Sequence, residues 1–146
     1  METEQSQRAG RILVVDQDAW CRDFLIQVIK LLGVAEYHLA TTVEEAQEAL
    51  RQTAFDLVIT DQRLPEHRRL LDDCRQRFPA MRFIVMMHQR THITHFSYQE
   101  QVDIVVKPLS LDEMARKIRE AIHQIHRHQV EEEFRRLRQE VLRVLG

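Results

Sequence analysis

The sequence predicts an α/β fold in which helices cover both faces of a parallel β-sheet. Short apolar runs rich in β-branched residues recur along the chain, and such runs form strands that are buried on both faces of a parallel sheet. Helical patterns lie between the runs, so strands and helices alternate, as they do in βα units with right-handed crossovers. With 146 residues the chain has room for one such domain.

Five strands are predicted, of which four are clear apolar runs and one is weaker. The clear strands are Arg11–Val15, Phe55–Thr60, Arg82–Met87 and Asp103–Val106, and the weaker strand is Tyr37–Ala40. Together they predict a flavodoxin-like doubly wound five-stranded sheet, in which ligands bind outside the carboxyl ends of the strands.

The helices between the strands are predicted by apolar spacing and by residues typical of helix ends. Apolar residues repeat at helical spacing from Phe24 to Leu32, and Gly33 can end that helix. Thr42–Glu45 is a capping box that begins the next helix, and Leu70–Phe78 indicates a third. The segment Thr91–Gln101 has few good helix formers and predicts no more than a turn or two of helix.

The last helix is predicted to be the longest and to divide the chain into regions. Ser110–Glu113 is a capping box, and the helical pattern after it runs towards Gly146. We predict a polar tail at residues 1–10, a folded domain at 11–124 and a helical extension at 125–146.

The extension carries an apolar stripe that would be exposed on an isolated helix. Phe134, Leu137, Val141 and Leu145 follow a change of phase at residues 126–130, and charged residues flank them as in a coiled coil. The pattern predicts a parallel homodimer formed through residues 125–146. Packing against an output domain absent from this chain is the main alternative.

Composition limits the classes of partner and the compartment. The formal net charge of −2, with charges interspersed along the chain, gives no footprint for direct nucleic-acid binding. No apolar run is long enough to cross a membrane. Cys21 and Cys74 are too few and too distant for a disulfide framework or a zinc site, which favours buried thiols and a cytoplasmic location.

Polar residues at three strand ends predict a site for a phosphoryl group. Asp16 follows the first strand, Asp61 the third and Lys107 the fifth. Two adjacent carboxylates repel each other unless a cation lies between them, so the pair indicates a site for Mg²⁺. A metal ion and an ammonium group can neutralise phosphoryl oxygens while a carboxylate attacks phosphorus.

Three motifs carry a resemblance to a known family. They are Ile12–Asp16, Asp56–Asp61 followed by Leu64–Pro65, and Val105–Pro108. In this order and spacing they resemble the receiver domains of response regulators in two-component signalling, over about residues 10–124. The resemblance implies a signalling module rather than an enzyme, with a histidine kinase or a phosphotransfer protein as its partner.

The resemblance also implies a role for each matching residue. Asp61 would be the phospho-acceptor, and Lys107 would contact the bound phosphoryl group. Asp16, Asp61 and the backbone carbonyl of Arg63 would bind Mg²⁺.

Three positions depart from the family pattern. Gln17 stands where a second acid usually binds the metal, and its amide oxygen is a weaker, neutral ligand. Asp18 would compensate for it if the loop bends towards the site. His88 replaces the usual Ser or Thr, and Ile104 replaces an aromatic residue. The departures leave a second hypothesis open, namely a pseudo-receiver that acts as a phosphorylation-independent interaction module. A third and weaker hypothesis is a haloacid-dehalogenase-like phosphatase that would use Asp16 as nucleophile.

Overall fold

The computed structural model describes residues 10–33, 36–88 and 101–146. Its single sheet contains five parallel strands in the order β2-β1-β3-β4-β5. The strands are β1 (Arg11–Val15), β2 (Glu36–Ala40), β3 (Leu57–Asp61), β4 (Arg82–Met87) and β5 (Val102–Val106). This order confirms the predicted flavodoxin-like doubly wound fold.

Four described helices connect or follow the strands. They are α1 (Ala19–Leu32), α2 (Val43–Gln52), α3 (His67–Arg77) and α4 (Leu111–Leu145). The helical turn predicted within Thr91–Gln101 lies outside the described residues.

Two apolar cores lie on opposite faces of the sheet. One joins the sheet to α2 and α3, and the other joins it to α1 and the first half of α4. Alternate residues of each strand enter opposite cores, as Leu57 and Val58 do in β3. Cys21 and Cys74 are both buried as free thiols, one in each core, as predicted.

The helix ends follow the local chemistry of the sequence. Gly33 ends α1 in the left-handed region with φ of 76°, where a residue without Cβ is unstrained. Thr42 and Ser110 accept hydrogen bonds from the amides of the third helical residues of α2 and α4. The Glu45 carboxylate accepts hydrogen bonds from the amide and the hydroxyl of Thr41, just before the helix.

The strand bounds differ from prediction only at element ends. β1 and β4 have the predicted bounds, whereas β3 begins two residues later and includes Asp61. Asp56 lies just before β3, and its carboxylate accepts a hydrogen bond from the Arg11 amide at 2.8 Å. Its own amide donates to the Arg11 carbonyl and its carbonyl accepts from the Arg82 amide, so Asp56 joins the start of β3 to both neighbouring strands.

Helix α4 is unbroken for 35 residues and crosses residue 124 without interruption. Its last buried residue is Ile125, and the apolar side chains beyond it are exposed. No helix in the described ranges is long and apolar enough to cross a membrane.

Candidate functional site

Four polar side chains meet at the carboxyl edge of the sheet. Asp16 follows β1, Asp61 ends β3, His88 follows β4 and Lys107 follows β5. Parallel strands place these ends at one edge, and the neighbouring strands β1 and β3 bring the two acids together. Asp16 and Asp61 are only 2% and 5% exposed. Buried carboxylates of this kind need cationic or hydrogen-bonding partners.

Lys107 is the cationic partner of both acids. Its Nζ lies 3.1 Å from Asp16 Oδ2 and 2.5 Å from Asp61 Oδ2. The Lys107 amide also donates to the carbonyl of Met87, which fixes the backbone at the end of β5. The Lys107–Pro108 peptide bond is cis. Two carboxylates and one ammonium group carry a formal net charge of about −1, which favours binding of a further cation.

His88 is a second partner of Asp61. Its Nε2 lies 3.2 Å from Asp61 Oδ2, and 28% of the His88 side chain is exposed. The imidazole is therefore partly exposed to solvent while its nitrogen contacts the acid. The imidazole occupies the strand-end position that the resemblance assigns to a hydroxyl.

Hydrogen bonds keep Asp61 ionised in spite of its burial. Burial alone would raise the pKa of Asp61. Hydrogen bonds from Lys107, the amide of Arg63 and His88 outweigh burial, so the pKa lies below its ordinary value. Burial likewise favours the neutral form of Lys107, but its bonds to Asp61 and Asp16 hold its pKa above the ordinary value. The site therefore contains an ionised carboxylate and a charged amine at neutral pH.

The loop between β1 and α1 is held by its own side chains. Asp18 caps α1 by accepting from the Trp20 amide at 3.0 Å, and the Asp18 amide donates to Asp16 Oδ1 at 2.9 Å. Arg22 donates to the carbonyls of Asp16 and Gln17 at 2.8 Å and 2.9 Å. Asp18 thus has the structural role of a helix cap. The Gln17 side chain is exposed.

The loop after β3 is anchored on Asp61 itself. The amide of Arg63 donates to Asp61 Oδ1 at 2.7 Å, so the backbone of this loop lies beside the acid. The loop ends at Glu66, which has φ of 63° in the left-handed region and makes no side-chain cap for α3. A residue with a Cβ is strained there.

A second histidine lies behind the site. His67, in the first turn of α3, is 5% exposed, and its Nε2 has no hydrogen-bond partner among the described residues. Burial lowers the pKa of His67 to about 4, although the charge of Asp61 opposes the shift. The buried Thr60 Oγ1 also lacks a partner in the described part of the chain. His67 is therefore an uncharged imidazole at neutral pH.

The oxygen ligands in this cluster suit a hard cation such as Mg²⁺, which they would bind with modest affinity. Asp16 and Asp61 supply carboxylate oxygens, and Mg²⁺ is commonly bound by one or two carboxylates with water completing its shell. Each acid already accepts hydrogen bonds, but a carboxylate oxygen has more than one lone pair. No cluster of three or more His, Cys, Asp or Glu side chains is arranged for a metal in the described ranges. Any metal here would rely on two acids and neutral ligands.

The structure brings together the residues that the sequence placed at strand ends and adds two that it did not single out. Asp16, Asp61, His88 and Lys107 form one cluster, whereas Gln17 is exposed in the loop after β1. Arg22 was missed, although its place one turn into α1 puts it within reach of the loop. His67 was missed because no sequence pattern distinguishes a buried imidazole from an exposed one.

Comparison with known families gives one match to a family model. The model of the response regulator receiver domain matches residues 12–119. The match spans β1 to the first half of α4 and includes the whole cluster of strand-end residues. A search of curated proteins found no match.

Solved structures share the fold. A CheY-like response regulator receiver domain protein from Methanospirillum hungatei JF-1 is 25% identical with a TM-score of 0.72, covering 82% of this chain and 98% of that one. The signal receiver domain of an HD domain-containing protein from Pseudomonas fluorescens Pf-5 is 25% identical with a TM-score of 0.73, covering 88% and 94%. A two component transcriptional regulator AraC from Clostridium phytofermentans ISDg is 25% identical with a TM-score of 0.70, covering 84% and 99%.

Proposed function

The chain belongs to the response regulator receiver family of two-component signalling, and from this premise we propose that it accepts a phosphoryl group on Asp61. Receiver domains of this family are signalling modules, generally not enzymes, that interact with histidine kinases or phosphotransfer proteins. The phosphoryl donor proposed for this chain is the phosphohistidine of such a partner.

The observation that supports this proposal best is the environment of Asp61. Its carboxylate ends a buried strand, its pKa is lowered, and a lysine ammonium contacts it. An ionised carboxylate is the nucleophilic form, and a nearby cation stabilises the charge that develops on phosphoryl oxygens. Among the described acids, Asp61 is the one that combines these features with a place at the centre of the sheet edge.

In the proposed reaction, an oxygen of Asp61 attacks the phosphorus of the phosphohistidine. An O–P bond forms as the P–N bond breaks, and the electron pair of that bond passes to the imidazole nitrogen of the donor, which takes a proton from solvent. The Arg63 amide holds Asp61 Oδ1. Oδ2, which faces Lys107 and His88, is the oxygen we assign to attack.

Lys107 and His88 are proposed to bind the phosphoryl group after transfer. Lys107 Nζ already contacts both acids, and it needs to move only from Asp61 Oδ2 to an oxygen of the new group. His88 Nε2, at 3.2 Å from the same carboxylate oxygen, can donate to the phosphoryl group when it is protonated.

Receiver domains generally bind Mg²⁺ at the acidic phosphorylation site, and we propose the same here. Asp16, Asp61 and the backbone carbonyl of Arg63 would hold it, with Gln17 as a weak additional ligand. When bound, the metal supplies positive charge to phosphoryl oxygens. Because an amide stands where the family has an acid, we expect weaker binding than in members with two acids.

The signal is proposed to leave the receiver through α4. Residues 125–146 expose an apolar stripe, which supports a homodimer formed by this helix. The change at Asp61 would pass through this dimer to an output. We propose a cytoplasmic location, since both cysteines are free thiols.

Intact-protein mass spectrometry tests the proposal. The chain is incubated with acetyl phosphate and Mg²⁺, and we expect one phosphoryl group to be added. Asp61→Asn should abolish the addition because the amide cannot attack phosphorus. Asp72→Asn is the matched control, since Asp72 is an exposed acid on α3 away from the cluster.

A phosphoryl adduct that persists in Asp61→Asn would contradict the assignment of Asp61. If the wild-type protein gains no mass with either acetyl phosphate or a phosphorylated histidine kinase, the domain does not accept phosphoryl groups. The pseudo-receiver would then be the better description.

A further inference from the structure

The C-terminal half of α4 has an apolar stripe with heptad spacing. We name it the outer stripe; its members are Val130, Phe134, Leu137, Val141 and Val144. The spacing alternates between four and three residues, as at the a and d positions of a coiled coil. Phe134 is 67% exposed and Leu137 is 55% exposed. Isolated apolar side chains are common on surfaces, but a continuous stripe of this kind indicates an interface.

The outer stripe points away from the receiver to which it belongs. Ile125 is the last residue of α4 in the core, and Phe134 follows it by nine residues. Nine residues are about two and a half turns, so Phe134 projects about 180° away from Ile125 around the helix axis. A partner helix can therefore lie along the stripe without meeting the sheet of the same chain.

We propose that the outer stripe pairs with the outer stripe of a second copy in a parallel, in-register coiled coil, with Glu133 of each copy opposite Arg138 of the other. This inference rests on the dimer in the proposed function, and it adds the register and the charge pairs to the parallel direction that the sequence predicts.

The charges beside the stripe favour this arrangement. With Phe134 and Val141 at a positions, Glu133 is a g residue and Arg138 is the e residue that follows five positions later. In a parallel coiled coil, a g residue contacts the e residue of the next heptad on the partner. Each dimer then gains two interhelical ion pairs.

The ion pairs within α4 leave these two residues available. Glu132 pairs with Arg135 at 2.6 Å, and Glu140 pairs with Arg143 at 2.9 Å. Glu133 and Arg138 make no ion pair with any side chain in the described ranges. The g residue Glu140 is thus paired within its own helix, whereas Glu133 and Arg138 are left for a partner.

An antiparallel arrangement is less favourable. It would place g residues opposite g residues, which brings Glu133 near Glu140 of the other copy twice in each dimer. It would also bring Glu131 near Arg138, so attraction and repulsion would offset each other. The parallel arrangement has the attraction between Glu133 and Arg138 without the repulsion between Glu133 and Glu140.

Sedimentation equilibrium of the full chain, with and without one substitution, tests whether the two helices of the dimer run parallel. Glu133→Arg reverses the proposed pairs to arginine against arginine, so we expect the dimer dissociation constant to rise about tenfold. In the antiparallel arrangement the same change would turn a glutamate pair into an ion pair and strengthen the dimer. A tighter dimer or an unchanged one would overturn the proposal.

A mixture of two variants tests whether complementary charges restore the dimer. Glu133→Arg and Arg138→Glu should each weaken self-association, whereas their equimolar mixture should form heterodimers about as stable as the wild-type dimer. Circular dichroism checks that the helix is retained in each variant. No recovery in the mixture would overturn the register.

Cross-linking gives a second measure of register. Val144→Cys places a thiol on the stripe and should form an interchain disulfide on oxidation. Leu142→Cys, at a position that is also exposed but lies off the stripe, should not. If the wild-type chain is a monomer at all concentrations, the inference and the proposed dimer both fail. Phosphoryl transfer to Asp61 would still be decided separately by mass.

Discussion

Single residues at the carboxyl edge determine the charge state of the whole site. Asp16 and Asp61 would repel each other across neighbouring strands, and Lys107 compensates by contacting both. Because the lysine contributes one positive charge to two negative ones, the cluster keeps an affinity for a cation. Gln17 limits that affinity, since a second acid there would have added a further charge.

His67 makes a prediction about pH because it is buried in its uncharged form. Its pKa is about 4 in the fold, whereas an exposed histidine has a pKa near 6.5. Between these values the unfolded chain binds more protons than the folded one, so the stability from this residue falls as pH falls from about 6.5 towards 4. From pH 7 to pH 5 the expected loss is about 2 kcal/mol.

Urea unfolding at pH 7 and pH 5 measures this effect. His67→Met replaces the buried imidazole with an apolar side chain of similar length. On acidification, the free energy of unfolding of this variant should fall by about 2 kcal/mol less than that of wild type. His123→Gln, at an exposed position of α4, should behave like wild type. Equal losses in wild type and His67→Met would show that His67 is not buried in its neutral form.

At the scale of elements, the start of α3 is the place where the backbone is under strain. Glu66 has φ of 63°, which costs a residue with a Cβ about 1–2 kcal/mol. Glu66→Gly should therefore raise the free energy of unfolding by about 1 kcal/mol, since glycine adopts this conformation freely but loses more entropy on folding. Glu66→Ala removes the same carboxylate and its contact with Arg69 but keeps the Cβ.

Urea denaturation of the two variants separates backbone strain from charge. The glycine variant should be more stable than wild type, whereas the alanine variant should lie within about 0.5 kcal/mol of it. A similar gain in both would mean that the Glu66 carboxylate, rather than the backbone, is unfavourable.

The sequence predicted the ends of helices and strands where local chemistry determines them, and it did not predict them elsewhere. Gly33 and Ser110 set helix ends through their own backbone or hydroxyl group, so the ends were predictable. The parallel order followed from the alternation of strand and helix. The strain at Glu66 was not predictable, because no glycine in the sequence marks the tight turn there.

The sequence predicted which residues form the candidate site better than it predicted how those residues contact one another. Strand ends located Asp16, Asp61 and Lys107 because all parallel strands end at one edge. That one amine would bridge both acids depends on tertiary distances that no local pattern contains. The burial of His67 likewise follows from how α3 packs on the sheet.

At the scale of the whole molecule, α4 joins two regions with different environments. Its first half buries Met114, Ile118 and Ile125 against the sheet, and no described residue beyond Ile125 is buried. Lys117 pairs with Asp103 at 2.6 Å and fastens the first half to β5. The receiver should thus fold without the extension, while association should depend on it.

Removal of residues 129–146 tests this division. The shortened chain retains Ile125 and every buried residue, so we expect its free energy of unfolding to lie within about 1 kcal/mol of that of wild type. It should still take up one phosphoryl group on Asp61 but should sediment as a monomer. If the shortened chain unfolds or loses phosphoryl uptake, the extension is part of the receiver itself. If the shortened chain remains a dimer, the two copies associate through a face of the receiver and not through the outer stripe.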